Sequence, residues 1–179
     1  MDGGQRVIVG VTGSVGNLHA LRYAAAEARR RAAPLLAVHA WVPPGGELAE
    51  RQCAVPELRQ VWRDAAWRRL WDAFDAALGG LPPDLPVEAT AVRGDPGRIL
   101  VATADQEDDL LVVGAGRRGV PWRLLRRRVS RYCLIHAGCP VLVVPPSELA
   151  QEMEHRLHAW IVRRRALLPG KNELSGHHG

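Results

Sequence analysis

The sequence has few cysteines, few aromatic residues and no long apolar run. Three cysteines occur among 179 residues, and aromatic residues make up 5% of the chain. Because the cysteine count is odd and no charged-then-apolar leader opens the sequence, we expect no disulfide framework and a reduced, cytoplasmic location. No uninterrupted apolar stretch approaches the ~18 residues that a membrane-spanning helix requires, so we expect no membrane partner.

Aliphatic residues and arginine make up much of what is present. Apolar residues account for 47% of the chain, which is typical of a globular protein with an aliphatic core. The length fits one domain with an elaborated terminus. Lys plus Arg number 24 against 19 Asp plus Glu, and almost all of the basic residues are arginine. This excess is compatible with phosphates or acidic partners but does not by itself indicate them.

Short apolar segments at regular intervals predict five strands. They cover Arg6–Thr12, Leu35–Val42, Pro86–Arg93, Asp109–Gly114 and Val141–Val144. Most are apolar on both faces, as in strands buried between two layers, and helical segments separate them. This alternation favours a three-layer α/β/α fold with a parallel sheet, whose ligands bind beyond the carboxyl ends of the strands.

The intervening helices are predicted from apolar spacing and from turn residues. Asn17 is a candidate N-cap of the first helix, and Asp95 is a candidate N-cap of a short helix over 98–104. The segment Pro56–Leu78 carries two apolar stripes, which predict two neighbours.

The region from strand four to strand five resembles the universal stress protein family. It reads DLLVVGAGRRGVPWRLLRRRVSRYCLIHAGCPVLVV, and the segments VIVGVTGS, LAVHAW and VRGDP precede it in the family's order. The resemblance extends from about Arg6 to Pro145 and implies a doubly wound, Rossmann-like, five-stranded parallel sheet of order 3-2-1-4-5. We therefore expect a domain over 1–146, an added C-terminal helix over 147–168 and a disordered tail over 169–179.

Nucleotide-binding members of this family hold ATP with a motif G-x-x-G, nine residues, then G-[S/T]. Its glycines let backbone N–H groups approach phosphates closely. Here Gly114 matches the first glycine, whereas Arg117 stands at the second and Arg127 with Arg128 at the closing pair. Thr12 replaces the family's aspartate and lacks its charge and its two acceptor oxygens.

The same resemblance places a candidate adenine-nucleotide pocket on five positions. They are Val11, Thr12, Ala40, Gly114 and Val129. The arginines Arg117, Arg127 and Arg128 are expected to reshape this pocket, because bulky cations replace bare main chain there.

Two functions follow from this degraded motif. The first is a stress-response regulatory module that is nucleotide-independent or binds nucleotide in an altered way. Such a module would form a homodimer through strand five and contact a protein partner through the C-terminal helix. The alternative is an ATP sensor in which arginine side chains contact the phosphates, so the candidate cofactor is ATP or another adenine nucleotide. Nucleic-acid contact by the arginine runs is disfavoured, because exposed aromatic residues and a groove-reading motif are lacking nearby.

No residue pattern indicates catalysis or a metal site. The pair Gly13-Ser14 lacks the G-x-S-x-G context of a nucleophile elbow. Cys133 and Cys139 lie in segments where burial is expected. His39 stands in the middle of strand two and is expected to be a core histidine with its hydrogen bonds satisfied.

Overall fold

A five-stranded parallel sheet organises the part of the chain that the structure describes. The computed structural model describes residues 5–12, 15–43, 56–115, 123–148 and 152. The strands are β1 (Val7–Gly10), β2 (Leu35–Trp41), β3 (Val87–Arg93), β4 (Leu110–Gly114) and β5 (Val141–Val144). Their order is β3-β2-β1-β4-β5, and every adjacent pair is parallel. The expected sheet and strand order are confirmed.

The described helices cover both faces of this sheet. They are α1 (Val15–Arg31), α2 (Pro56–Leu78), α3 (Pro96–Thr103) and α4 (Arg123–His136). Helices α1 and α2 pack against one face and share a core with Val7, Val9 and Leu35. Helices α3 and α4 pack against the other face, where Ile8 and Val38 belong to a second core. Successive strand residues therefore feed opposite cores, which explains why the central strands are apolar on both faces.

The sequence predicted an N-cap residue for each of two helices, and the structure agrees with one of these predictions. Asp95 caps α3, since its carboxylate accepts a hydrogen bond from the backbone N–H of Arg98 at 3.1 Å, and that prediction is confirmed. The prediction that Asn17 caps α1 is wrong, because the helix begins at Val15. Asn17 lies within the first turn, where its side chain bonds back to the end of β1.

The long helix α2 has the predicted bounds but not the predicted pattern of burial. Leu70 and Phe74 are buried against the sheet, whereas Leu58 and Val61 are 41% and 54% exposed. One of the two apolar stripes is thus largely open to solvent. At the other end of the helix, the Arg22 guanidinium donates to the carbonyl oxygens of Ala76 and Ala77 at 3.1 and 2.8 Å, which satisfies groups that a helix end leaves unpaired.

A partly buried ion pair joins the amino ends of β1 and β4. Arg6 donates from Nε and Nη2 to the two carboxylate oxygens of Asp109 at 2.9 and 2.6 Å, and Asp109 is fully buried. The same guanidinium contacts Asp105 at 2.6 Å. These carboxylates raise the pKa of Arg6, so its guanidinium is charged throughout the physiological range. The pair lies at the edge of the sheet opposite the carboxyl ends of the strands.

The chain divides into two compact units, Met1–Ser147 and Glu148–Gly179. The predicted C-terminal helix over 147–168 and the predicted tail over 169–179 lie almost wholly outside the described residues. Within the described ranges, every helix is too short or too polar to cross a membrane.

Candidate functional site

A cleft of about 860 Å³ opens at the carboxyl end of the sheet. One side is formed by the ends of β1, β2 and β4, including Gly10, Ala40 and Gly114. The other side is formed by the first turn of α3 and the second half of α4. Volumes of roughly 300–1,000 Å³ are typical of small-molecule sites, and the carboxyl rim of a parallel sheet is where such sites occur.

The structure brings five of the eight sequence-predicted site residues around this cleft. These are Val11, Thr12, Ala40, Gly114 and Val129. Four of them lie at or just beyond the ends of β1, β2 and β4, which meet because parallel strands end at the same edge, and Val129 lies on α4. Arg117 lies outside the described residues, and Arg127 and Arg128 fall in α4 at positions whose side chains are not described.

Two buried side chains hold the end of β1 beside the cleft. The Asn17 amide accepts from the backbone N–H of Thr12 at 2.7 Å and donates to the carbonyl of Gly10 at 2.8 Å. His39 Nδ1 lies 2.7 Å from the carbonyl oxygen of Val11, so this nitrogen carries the proton and donates. The backbone of the rim is therefore held in one conformation by side chains from α1 and β2.

Burial keeps His39 neutral. The residue is 5% exposed, and desolvation lowers the pKa of its imidazole, with a smaller contribution from the charge of Arg69. Within the described residues, Nε2 is buried with no hydrogen-bond partner. The expectation of a core histidine is confirmed for its burial, while only one of its two nitrogens is satisfied.

Close packing brings α3 and α4 to the cleft. A Cβ added at Gly10 would lie 2.8 Å from Leu100 Cδ1, so a glycine lets α3 approach the end of β1. The hydroxyl of Ser130 donates to the carbonyl of Gly114 at 2.9 Å and joins α4 to the end of β4. The carboxyl rim of the sheet is thus braced from both helices.

Apart from Val129, sequence reasoning missed the residues that α3 and α4 contribute to the cleft. They are Asp95, Pro96, Gly97, Arg98, Leu100, Arg131, Tyr132, Ile135 and His136. The GDPG turn before α3 signalled a helix start near the strand ends. Nothing in the sequence indicated that α4 would meet that turn.

The cysteines of the described region are unsuited to nucleophilic chemistry. Cys133 and Cys139 are buried, as expected, and neither forms a disulfide. Burial raises the pKa of Cys133 to about 11, which leaves little reactive thiolate near neutral pH. The described residues also contain no group of His, Cys, Asp and Glu side chains that could hold a metal ion.

Known proteins match this chain over the sheet and the cleft. The family model described as the universal stress protein family matches residues 4–145. A universal stress protein of Mycolicibacterium smegmatis is 31% identical over 145 residues, which cover 78% of this chain and 45% of that protein. Another from Thermus aquaticus is 33% identical over 138 residues, which cover 72% of this chain and 92% of that protein.

A solved structure agrees with the family match and the sequence relatives. The crystal structure of a universal stress protein in complex with cAMP is 29% identical, covers 80% of this chain and 98% of its own, and has a TM-score of 0.54. The chain spans about half the length of the mycobacterial relatives that it matches, at 45%. The matched region contains all five strands and the whole described cleft. The chain belongs to the universal stress protein family.

Proposed function

We propose that this chain is a non-enzymatic, stress-response regulatory module whose cleft binds an adenine nucleotide in an altered mode. The observation that supports this most is the meeting of Val11, Thr12, Ala40 and Gly114 at the open carboxyl rim of the sheet. A family member with 29% identity has been solved with cAMP, so an adenine nucleotide is the ligand class to test first.

The altered mode follows from the residues at the phosphate positions of the motif. Gly114 remains and lines the cleft at the end of β4. Arg117, Arg127 and Arg128 replace the other glycines and the hydroxyl residue. A side chain at a glycine position of this motif hinders the close approach of phosphates to backbone N–H groups in general, so we expect binding to depend less on a triphosphate than it does in ATP-binding relatives.

Calorimetric titration with adenosine, AMP, cAMP and ATP tests this proposal. We expect AMP or cAMP to bind at least as tightly as ATP. Ala40→Phe should abolish binding, because Ala40 lines the cleft and a ring there would fill it. Ala26→Phe, at an exposed position on α1, is the matched control and should bind like the parent chain. Absence of heat with every nucleotide at millimolar concentration would refute the proposal and favour the nucleotide-independent function. A clear preference for ATP would instead favour the ATP sensor.

A second proposal concerns self-association through β5. This strand is the last in the sheet and pairs with β4 alone among the described strands. The carbonyls of Pro140 and Val144 accept from Leu111 and Ala115 in and beyond β4. Because backbone groups alternate along a strand, those of residues 141 and 143 point away from β4 and are available to a second chain.

Sedimentation of the Val143→Pro variant tests self-association through the exposed edge of β5. Proline removes one outward N–H while leaving the bonds to β4, so we expect the parent chain to be a dimer at micromolar concentration and the variant to dissociate. Val143→Ile keeps the N–H and should remain dimeric. A monomeric parent chain would exclude the proposal, as would a variant that dimerises fully. A protein partner of the C-terminal segment and a cytoplasmic location remain predictions.

A further inference from the structure

The cleft continues past the strand ends into a second region between α3 and α4. We call this region the α3–α4 arm and define it by Asp95, Arg98, Arg131, Tyr132, Ile135 and His136. None of these positions belongs to the glycine motif or to the five positions of the candidate adenine-nucleotide pocket. The arm therefore requires an explanation of its own.

The charges of the arm suit an anion. Arg98 and Arg131 are exposed, and neither guanidinium forms an ion pair with any residue that the structure describes. By contrast, the guanidinium of Arg29 is paired with Asp84. The one carboxylate of the arm, on Asp95, already accepts the N–H that starts α3. Two cations thus face the arm, and guanidinium groups bind phosphate well.

The rings of the arm suit a flat aromatic group. Tyr132 and His136 lie 4.2 Å apart between ring centroids, with planes tilted by 39°. Tyr132 is held in place from below, since a Cβ at Gly97 would come within 2.9 Å of its ring. His136 and Ile135 are exposed, and Ile135 is 61% so. A supported ring pair beside an exposed apolar side chain is a surface on which a base can stack.

Helix α3 connects the arm to the nucleoside positions. Leu100 packs over Gly10 at the rim, and Gly97 packs under Tyr132 in the arm. These two contacts are three residues apart on α3, which is about one helical turn, or roughly 5 Å along its axis. A ligand anchored at the rim could therefore enter the arm through a short bridge of phosphates.

We propose that the cleft takes a dinucleoside polyphosphate, with one adenosine at the rim and the second base on the ring pair of the arm. Arg98 and Arg131 would contact the bridging phosphates. This inference rests on the proposed binding of an adenine nucleotide at the rim. It names a ligand class whose phosphates leave the rim toward α3 and α4 rather than along the degraded glycine motif.

Titration calorimetry with AMP, ATP and the diadenosine di-, tri- and tetraphosphates tests the inference. We expect at least one diadenosine compound to bind roughly tenfold more tightly than AMP and than ATP, because a stacked base contributes binding free energy that phosphates alone do not supply. This gain in affinity should be largest for one length of the phosphate bridge, since the distance between the rim and the ring pair is fixed.

Three variants test whether the gain in affinity comes from the arm. His136→Ala, Arg98→Gln and Arg131→Gln alter exposed positions and should each reduce the affinity for the best diadenosine compound toward that for AMP. Their AMP affinity should stay within about twofold of the parent chain, since the rim is intact. Arg68→Gln, an exposed arginine on α2 across the sheet, is the matched control and should keep the full gain. Circular dichroism melts would establish that each variant is folded.

The outcomes separate this inference from the function on which it rests. If AMP binds and no diadenosine compound binds more tightly, the proposed second subsite in the arm is wrong and the proposed function stands. A gain that persists in all three arm variants would also overturn it. Absence of binding by every compound would overturn both. A gain that is lost in the arm variants and kept in Arg68→Gln would establish the second subsite.

Discussion

At the scale of single residues, His39 makes stability depend on pH. Its folded-state pKa lies below the unfolded value near 6.5, because burial disfavours the charged imidazole. The unfolded chain therefore takes up the proton more readily. The stabilising contribution is complete above pH 6.5 and is lost as the pH falls below that value toward the folded-state pKa.

Replacement of this histidine should flatten the acid side of the stability profile. His39→Gln keeps a donor for the carbonyl of Val11 but does not titrate. We expect its loss of unfolding free energy between pH 7.5 and 5.5 to be smaller than that of the parent chain by about 1 kcal/mol. Urea denaturation at the two pH values measures the difference. An unchanged slope would show that His39 is not protonated on unfolding in this range.

Asp109 should be sensitive to the loss of its arginine partner. Arg6→Met leaves a fully buried carboxylate without its two strongest hydrogen bonds, and we expect a loss of roughly 3 kcal/mol in unfolding free energy. Chemical denaturation measures it, and the double variant Arg6→Met/Asp109→Leu should recover part of the loss. Arg29→Gln breaks the exposed pair with Asp84 and should have a much smaller effect. Equal losses in the two arginine variants would contradict the assigned role of burial.

At the scale of elements, the contact between α3 and α4 depends on a glycine. Alanine has a higher intrinsic helix propensity than glycine. A Cβ at position 97 would nevertheless lie 2.9, 3.0 and 3.2 Å from Cδ1, Cγ and Cβ of Tyr132. These atoms sit close to the backbone of α4 and cannot move without shifting the helix. The overlap should therefore outweigh the propensity.

We accordingly expect Gly97→Ala to lower the unfolding free energy by roughly 1–3 kcal/mol. Thermal denaturation followed by circular dichroism measures the change. Gly138→Ala is the matched control, because a Cβ there meets no atom within 4 Å, and it should change stability little. If Gly97→Ala instead stabilised the protein, α3 and α4 would have to be packed more loosely than described.

At the scale of the whole molecule, the order of the sheet predicts a gradient of local stability. Strand β1 is central and completely buried, with β2 and β4 on either side, whereas β3 is an edge strand with half-buried residues. Amides of β1 and β4 should exchange with solvent only on global unfolding, and those of β3 should exchange sooner by local opening. Hydrogen exchange followed by mass spectrometry tests this. Exchange of β1 before β3 would contradict the described order.

Most of the fold could be predicted from the sequence because its signals are local. Continuous apolar segments and the turn residues between them placed every strand within about two residues of its observed bounds. The cap at Asp95 was also readable, since capping involves neighbours in sequence. Asn17 was misassigned because its side chain bonds to the backbone of Gly10 and Thr12 at the end of β1 and not to the backbone of α1.

The site could be predicted only in part. The family resemblance supplied the five predicted cleft residues; four of them lie at or just beyond strand ends, which a parallel sheet brings together, and Val129 lies on α4. Gly97 and Tyr132 are 35 positions apart, and Arg6 and Asp109 are 103 apart. Each pair meets only when separate elements pack, so no local pattern announces it.

The sequence by itself determined that this chain forms alternating buried strands and covering helices with a binding rim where strands end. Periodicity and turn chemistry encode those features within a few residues of one another. Only the tertiary structure decided that α3 and α4 close one side of the cleft and bring Arg98 and Arg131, which form no ion pair with the described residues, beside a ring pair. The side-chain volumes at the helix contacts, and above all a glycine under a tyrosine, determine that geometry.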